Sequence, residues 1–267
     1  MASTFFVVWR ESLEAFLIAG ILFAWLKIND DDGRGRRALF AGLAAGVLLA
    51  FLLGWTLLTV QDELTGQALD IFQTATLLVA AALITQMVLW MKRHSRQMKA
   101  RLHADLTFAA ERSGYLGVAV VAALAVAREG AETVIFLYGL AQGGDLRALA
   151  IGSLAGFAGA AATAWLAARS LARLNIGLLL RLSSVLLLIL ASSLLVAAVD
   201  RLIGADWLPT LLDPVWDSST LLDDTRGGGR LLADFSGYRA RPALSTLLIY
   251  GTYWAVVLFA WRRSGRD

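Results

Sequence analysis

Residues 4–26 read TFFVVWRESLEAFLIAGILFAWL, an apolar run of membrane-spanning length interrupted by Arg10, Glu11 and Glu14. A second run, residues 115–140, reads YLGVAVVAALAVAREGAETVIFLYGL and carries Arg128, Glu129 and Glu132 at the same spacing. About 20 apolar residues at 1.5 Å each cross a hydrocarbon core of about 30 Å. An ionised side chain at that depth costs roughly 2.5–3.5 kcal/mol, so six of them facing lipid would cost on the order of 15–20 kcal/mol. They are tolerable where they meet in the protein interior, pair and line a hydrated path.

The remaining composition fits this setting. Hydrophobic residues make up 58% of the 267 and mean hydropathy is +0.66, above the roughly 45–50% apolar share of soluble domains. Further apolar runs lie at about 38–60, 68–91, 147–168, 177–199 and 243–262, giving seven spans and one polytopic domain over 1–267. The first run has no small-residue cleavage site after a clean apolar core, so it is expected to stay as the first span. A net charge of +3 gives no support to nucleic-acid binding, and the absence of cysteine excludes disulfides, iron–sulfur clusters and thiolate metal sites.

Charge alternates between the connections. Lys27, Arg34, Arg36 and Arg37, offset by Asp30, Asp31 and Asp32, follow the first span, and Asp62 and Glu63 follow the second. Lys92, Arg93, Arg96, Lys99 and Arg101, then Arg169 and Arg173, then Arg262, Arg263 and Arg266 mark the later basic segments. The positive-inside rule therefore puts the N-terminus outside and the C-terminus in the cytoplasm. The segment 200–242, with Asp206, Asp213, Asp217, Asp223, Asp224 and Asp234, is expected outside, as a solvated acidic connector or a weak cation-collecting mouth, with a short helix near 229–235.

The chain also repeats itself. Beyond the two Arg-Glu-x-x-Glu motifs, Ala38, Leu39, Gly42, Ala45, Gly46 and Trp55 recur at constant offset as Ala148, Leu149, Gly152, Ala155, Gly156 and Trp165. The expected fold is all-α: two three-helix repeats, about 4–91 and 115–199, plus a last helix at about 243–262. An odd number of spans per repeat makes the two copies inverted in the membrane, with the site where they meet.

On a helix, residues three and four apart share a face. Glu11 and Glu14 therefore point together, as do Glu129 and Glu132, with Arg10 and Arg128 in reach one turn away. Counted along their helices, both pairs lie roughly 10 Å below the outer surface. Four convergent carboxylates form a hard oxygen site suited to a di- or trivalent cation, and with two arginines the formal charge is −2. Asp70, Gln73, Gln86, Ser183, Ser184, Ser192, Ser193, Tyr138 and Tyr250 are weaker polar candidates, explained at least as well by helix packing. His94 and His103 fall in the basic connection, which excludes an intramembrane bis-histidine haem or zincin-type site.

With these motifs in place, the chain resembles the oxidase-coupled high-affinity iron permeases, bacterial EfeU type, over essentially its whole length. Pro214-Val215-Trp216-Asp217-Ser218 and Gly237-Tyr238-Arg239-Ala240-Arg241-Pro242 are similar to that family's segment before the last helix. Ser12 stands where the family has glycine in the first motif, and Ala131 where leucine is common in the second. The resemblance implies iron transport across the inner (cytoplasmic) membrane, as ferric ion delivered by an external oxidase or peroxidase partner. It implies Glu11, Glu14, Glu129 and Glu132 as metal-binding glutamates, Arg10 and Arg128 as their ion-pair partners, and no permanently bound cofactor. Carriage of lead or another divalent metal, proton-coupled exchange, and a membrane-embedded carboxylate metalloenzyme are the competing expectations.

Overall fold

In lipid every backbone N–H and C=O must be satisfied within the chain, which leaves helices or closed barrels. The computed structural model describes residues 2–29, 33–94, 98–142, 146–169 and 176–263, and among these the secondary structure is entirely helical. Eight helices follow in order: α1 (Ala2–Asn29), α2 (Arg34–Glu63), α3 (Gly66–His94), α4 (Met98–Ala141), α5 (Leu146–Arg169), α6 (Ile176–Gly204), α7 (Gly227–Ser236) and α8 (Leu244–Arg263). Five of them, α2, α3, α5, α6 and α8, contain stretches long and apolar enough to cross a membrane. The other two long helices, α1 and α4, each carry the arginine and two glutamates of a motif.

The helices overrun the expected spans by a few residues, and α4 by far more. It begins at Met98 and breaks at Gly114 (φ 57°, ψ −139°), a backbone conformation open to glycine and strained for other residues. The stretch expected as a loop is thus largely helical. His94 and His103 fall on helical backbone, and their side chains lie outside the described residues, as do those of Arg93, Lys99 and Arg101. Asp30, Asp31, Asp32, Arg96, Arg173 and Arg266 lie outside them altogether.

Without water to drive apolar surfaces together, membrane helices associate through close van der Waals contact, which favours small residues. The closest packing here is α2 on α4 and α1 on α5. A Cβ on Gly46 would fall 2.7 Å from Ala123 O, 2.8 Å from Val126 Cβ and 3.0 Å from Ala127 N. One on Gly156 would fall 2.6 Å from Phe5 O, 3.1 Å from Val8 Cβ and 3.0 Å from Trp9 N. Ala123, Val126 and Ala127 stand six, three and two positions before Glu129; Phe5, Val8 and Trp9 stand six, three and two before Glu11. The same interface is therefore built twice, once on each motif helix.

Helix directions follow from which residues meet. Gly42 lies against Ala119, Gly46 against Ala123, Gly54 against Val134, so α2 and α4 run the same way. Helix α3 runs opposite to α4, because Trp90 lies by Arg128 while Phe72 lies by Tyr138. Helix α8 runs with α3: Tyr253 meets the Thr85 hydroxyl at 3.0 Å, and Lys92 donates to the Trp261 carbonyl. Helices α1, α3, α4 and α6 form the centre, where Val7, Ile84, Phe136, Leu187 and Leu190 are buried. Phe40, Phe51, Trp55, Leu154, Phe157, Trp165 and Phe259 on α2, α5 and α8 are exposed, an apolar belt suited to lipid.

The segment between α6 and α8 is ordered by its own contacts. Val215 N donates to Pro242 O and Ser218 N to Ala240 O, both at 2.9 Å, zipping together the two stretches that carried the family resemblance. Arg239 pairs with Asp200 at 2.6 Å, and Arg241 with Asp217 at 3.0 Å. Gly237 ends α7 in the left-handed region (φ 75°), and a Cβ there would fall 3.1 Å from Ser193 Cα, so the segment sits tightly on α6. Asp217 accepts from Ser219 N at 2.9 Å and Ser219 Oγ at 2.6 Å. These bonds and Arg241 hold its carboxyl down to about 2. A depressed carboxylate pKa contributes stability that is present above its unfolded value and lost as pH falls through the folded one. The prediction is that limited proteolysis of this segment proceeds at the same rate at pH 5 as at pH 7, and accelerates as pH approaches 2. Acceleration already at pH 5 would contradict it.

Candidate functional site

The two motif helices cross at their charged turns. Glu11 of α1 and Glu129 and Glu132 of α4 each offer a carboxylate oxygen, and the three oxygens lie within 4.8 Å of one another. Oxygens bound to a small cation at about 2.0–2.1 Å lie up to about 4 Å apart across it, so this triad needs little closing to hold one. Glu14, expected in the same set, lies beside them, its Oε1 2.7 Å from Arg10 Nη2 and, though buried, without a hydrogen-bond partner among the described residues.

Each half of the site is held by its own arginine. Arg10 Nη1 donates to Glu11 Oε1 at 2.8 Å, and Arg128 Nε donates to Glu132 Oε1 at 3.2 Å. The second oxygens, Glu11 Oε2 and Glu132 Oε2, are buried and find no hydrogen-bond partner among the described residues. Buried polar atoms are nearly always partnered, and with Glu14 Oε1 three acceptors are left over on facing helices, which suits a cation. The six groups sum formally to −2, so the site attracts positive charge even with both arginines in place.

The two halves differ in access. The Arg10 side chain is 0% exposed and that of Glu11 also 0%, whereas Arg128 is 51% and Glu132 13% exposed. Arg128 lies 5.2 Å over the Trp90 ring, a cation–π arrangement. Arg10 is enclosed by α3, where the thioethers of Met87 and Met91 lie against its two amino nitrogens. Nothing in the sequence singles out these methionines. Two methionines one turn apart in an apolar helix read as core packing, and their role depends on how α3 docks on α1.

Of the weaker polar candidates, Ser192, Ser193, Gln73, Tyr138 and Tyr250 find partners other than the triad. Ser192 and Ser193 return hydrogen bonds to carbonyls of their own helix, and Ser193 also reaches Asp234 O at 3.1 Å. Gln73 accepts from Arg201 at 2.6 Å, Tyr138 donates to Gln61, and Tyr250 packs on Trp254. Asp70 is exposed. Gln86 lines a cavity of about 770 Å³ beside α3, α6 and α8 that contains Thr85 and Tyr253 but no carboxylate.

Exposed apolar helices around a largely buried carboxylate triad define a multi-pass membrane protein with a candidate cation site. The chain belongs to the iron permease FTR1 family, whose sequence pattern matches residues 1–262. The ferrous iron permease EfeU of Shigella sonnei is 27% identical over 260 residues, covering 96% of this chain and 94% of that protein. The protein of the same name from Escherichia coli O157:H7 shows the same identity and coverage. That of Yersinia pestis is 26% identical over 259 residues, covering 96% and 92%. No solved structure matches the chain. This membership makes the protein a transporter of iron across a membrane rather than an enzyme, with iron as its substrate.

Proposed function

We propose that the protein carries ferric ion inward across the cytoplasmic membrane through Glu11, Glu14, Glu129 and Glu132, with Arg10 and Arg128 as supporting ion-pair groups. The observation that carries this is the meeting of three carboxylates from two motifs, two of them with an unpartnered buried oxygen. Helices α1 to α6 and α8 are the seven spans, with the N-terminus outside and the C-terminus in the cytoplasm. Residues of about 4–91 and 115–199 are the inverted repeats of one polytopic domain, and 200–242 faces outward before the last helix at about 243–262. Support for the repeats comes from the matching contacts of Gly46 and Gly156. Support for the orientation comes from the arginines and lysines at one end of the bundle: Lys27, Arg36, Lys92, Arg169 and Arg262.

A partner outside the membrane supplies the ion by oxidising ferrous iron, in keeping with the oxidase-coupled permeases that the sequence resembles. A second reading has ferrous ion itself as the transported form. It is favoured by the formal charge of −2, which a divalent ion neutralises, and by the relatives' name of ferrous iron permease. Radio-iron uptake into vesicles holding this chain alone separates the two. Ferric citrate is expected to be taken up, and ferrous iron under ascorbate to be taken up at least about tenfold more slowly until an oxidant is added. Full-rate ferrous uptake under ascorbate would establish the second reading in place of the first, and no uptake of either form would refute both.

A further inference from the structure

A guanidinium has five N–H donors and no acceptor, so a fully buried arginine must find several partners. Arg10 gives one N–H of Nη1 to Glu11 and another to Met87 Sδ. Its Nη2 is paired with Glu14 Oε1 and donates to Met91 Sδ. Nε has no hydrogen-bond partner among the described residues. Each amino nitrogen is thus shared between a carboxylate of α1 and a thioether of α3. Both methionines are buried. Arg128 has a different setting: it is half exposed, meets Glu132 through Nε, and has the Trp90 ring of the same α3 beneath it.

We infer that Met87 and Met91 are positioning residues for iron binding, acting through Arg10; this rests on the permease function proposed above. A thioether is a weak, neutral acceptor. It satisfies an N–H without adding negative charge, so the site keeps its formal −2. It also draws the guanidinium toward α3 and away from the open oxygens of the triad. A hydrocarbon side chain in its place leaves two buried N–H groups unmet, and buried donors without acceptors are costly. The unpartnered buried acceptors beside it on the same helix are Glu14 Oε1, 2.7 Å from Nη2, and Glu11 Oε2, the oxygen offered to iron. Arg10 then competes with the ion. Arg10 is the fixed countercharge of the site, and the half-exposed Arg128 is the one free to move as iron enters or leaves.

The test is the concentration dependence of radio-iron uptake by the full-length chain in vesicles. The chain has four methionines, so growth on norleucine replaces the sulfur atoms with methylenes while keeping side-chain length. Met87→Leu/Met91→Leu and the norleucine protein are expected to raise KM for iron about tenfold, the scale of one competed charge-assisted hydrogen bond, with Vmax per inserted protein within about twofold. Met87→Gln/Met91→Gln restores an acceptor of similar reach, and its KM is expected to return close to wild type. A mere packing defect would lower the amount of active protein and leave KM unchanged. Wild-type KM in both the leucine and norleucine proteins, or a glutamine protein no better than the leucine one, overturns the inference alone. Wild-type vesicles no faster than empty ones overturn the permease function and the inference with it.

Discussion

Glu132→Gln is expected to abolish iron uptake while leaving the protein inserted and folded. The amide keeps the size of the side chain and its carbonyl oxygen still accepts from Arg128, which in the native protein donates to Glu132 Oε1 at 3.2 Å. What disappears is one unit of charge from a triad whose oxygens lie within 4.8 Å, taking the six-group sum from −2 to −1. A unit charge about 4 Å from a divalent ion is worth roughly 8 kcal/mol gross at an effective dielectric of about 20, twice the value for two unit charges. Desolvation of the ion and carboxylate returns most of that. A residual of about 2–3 kcal/mol still corresponds to roughly 30- to 150-fold weaker binding. Glu129→Gln should behave alike. Glu14→Gln should differ in kind, because its carboxylate lies on Arg10, and breaking one member of a buried ion pair costs about 3–5 kcal/mol of stability. It is expected to lose both uptake and thermal stability, whereas Glu132→Gln loses uptake with a melting temperature near wild type. Uptake by Glu132→Gln within twofold of wild type would leave the motifs as clamps between α1 and α4.

The parts of this arrangement that were legible in the sequence are those set by local periodicity. Apolar runs of the right length mark the long helices, and a spacing of three puts Glu129 and Glu132 on one face whatever the tertiary fold. The proposed duplication rests on Gly42, Gly46 and Trp55, which recur with their spacing intact in Gly152, Gly156 and Trp165. The allocation of the four glutamates could not be read. Glu11 and Glu14 are equivalent on a helix wheel, and which of their oxygens come closest to those of α4 depends on how the two helices dock. The contact of Arg10 with Met87 and Met91, over seventy residues away, could not be read either, since these two have the composition of ordinary core. The helical stretch before Gly114 was missed for another reason. Its charged residues matched the signature of a basic connection, and polarity alone does not distinguish a loop from a helix outside the apolar region.

The second large effect lies away from the site. Gly46→Leu and Gly156→Leu are each expected to destabilise the protein strongly, and by similar amounts. At Gly46 even the first carbon of a side chain would fall 2.7 Å from Ala123 O and 3.0 Å from Ala127 N; at Gly156 the backbone atoms Phe5 O and Trp9 N stand at 2.6 and 3.0 Å. Backbone of a packed helix cannot swing aside as a side-chain tip can, so α2 must separate from α4, or α5 from α1. Overpacking of this sort costs about 3 kcal/mol at the upper end of the usual range, or roughly 6–12 °C in melting temperature for a chain of this size. Gly251→Leu is the control, since a Cβ there meets nothing within 4 Å and its melting temperature should stay within about 2 °C of wild type. The comparison of the two glycines matters more than either value. Both sit against backbone six to two positions before a motif glutamate, so loosening either contact shifts one pair of carboxylates relative to the other. Equal losses of stability and uptake in the two variants are what a site built at the junction of two copies of one unit requires. A large effect at Gly46 with none at Gly156 would mean that a single helix pair carries the fold and that the second interface only fills space.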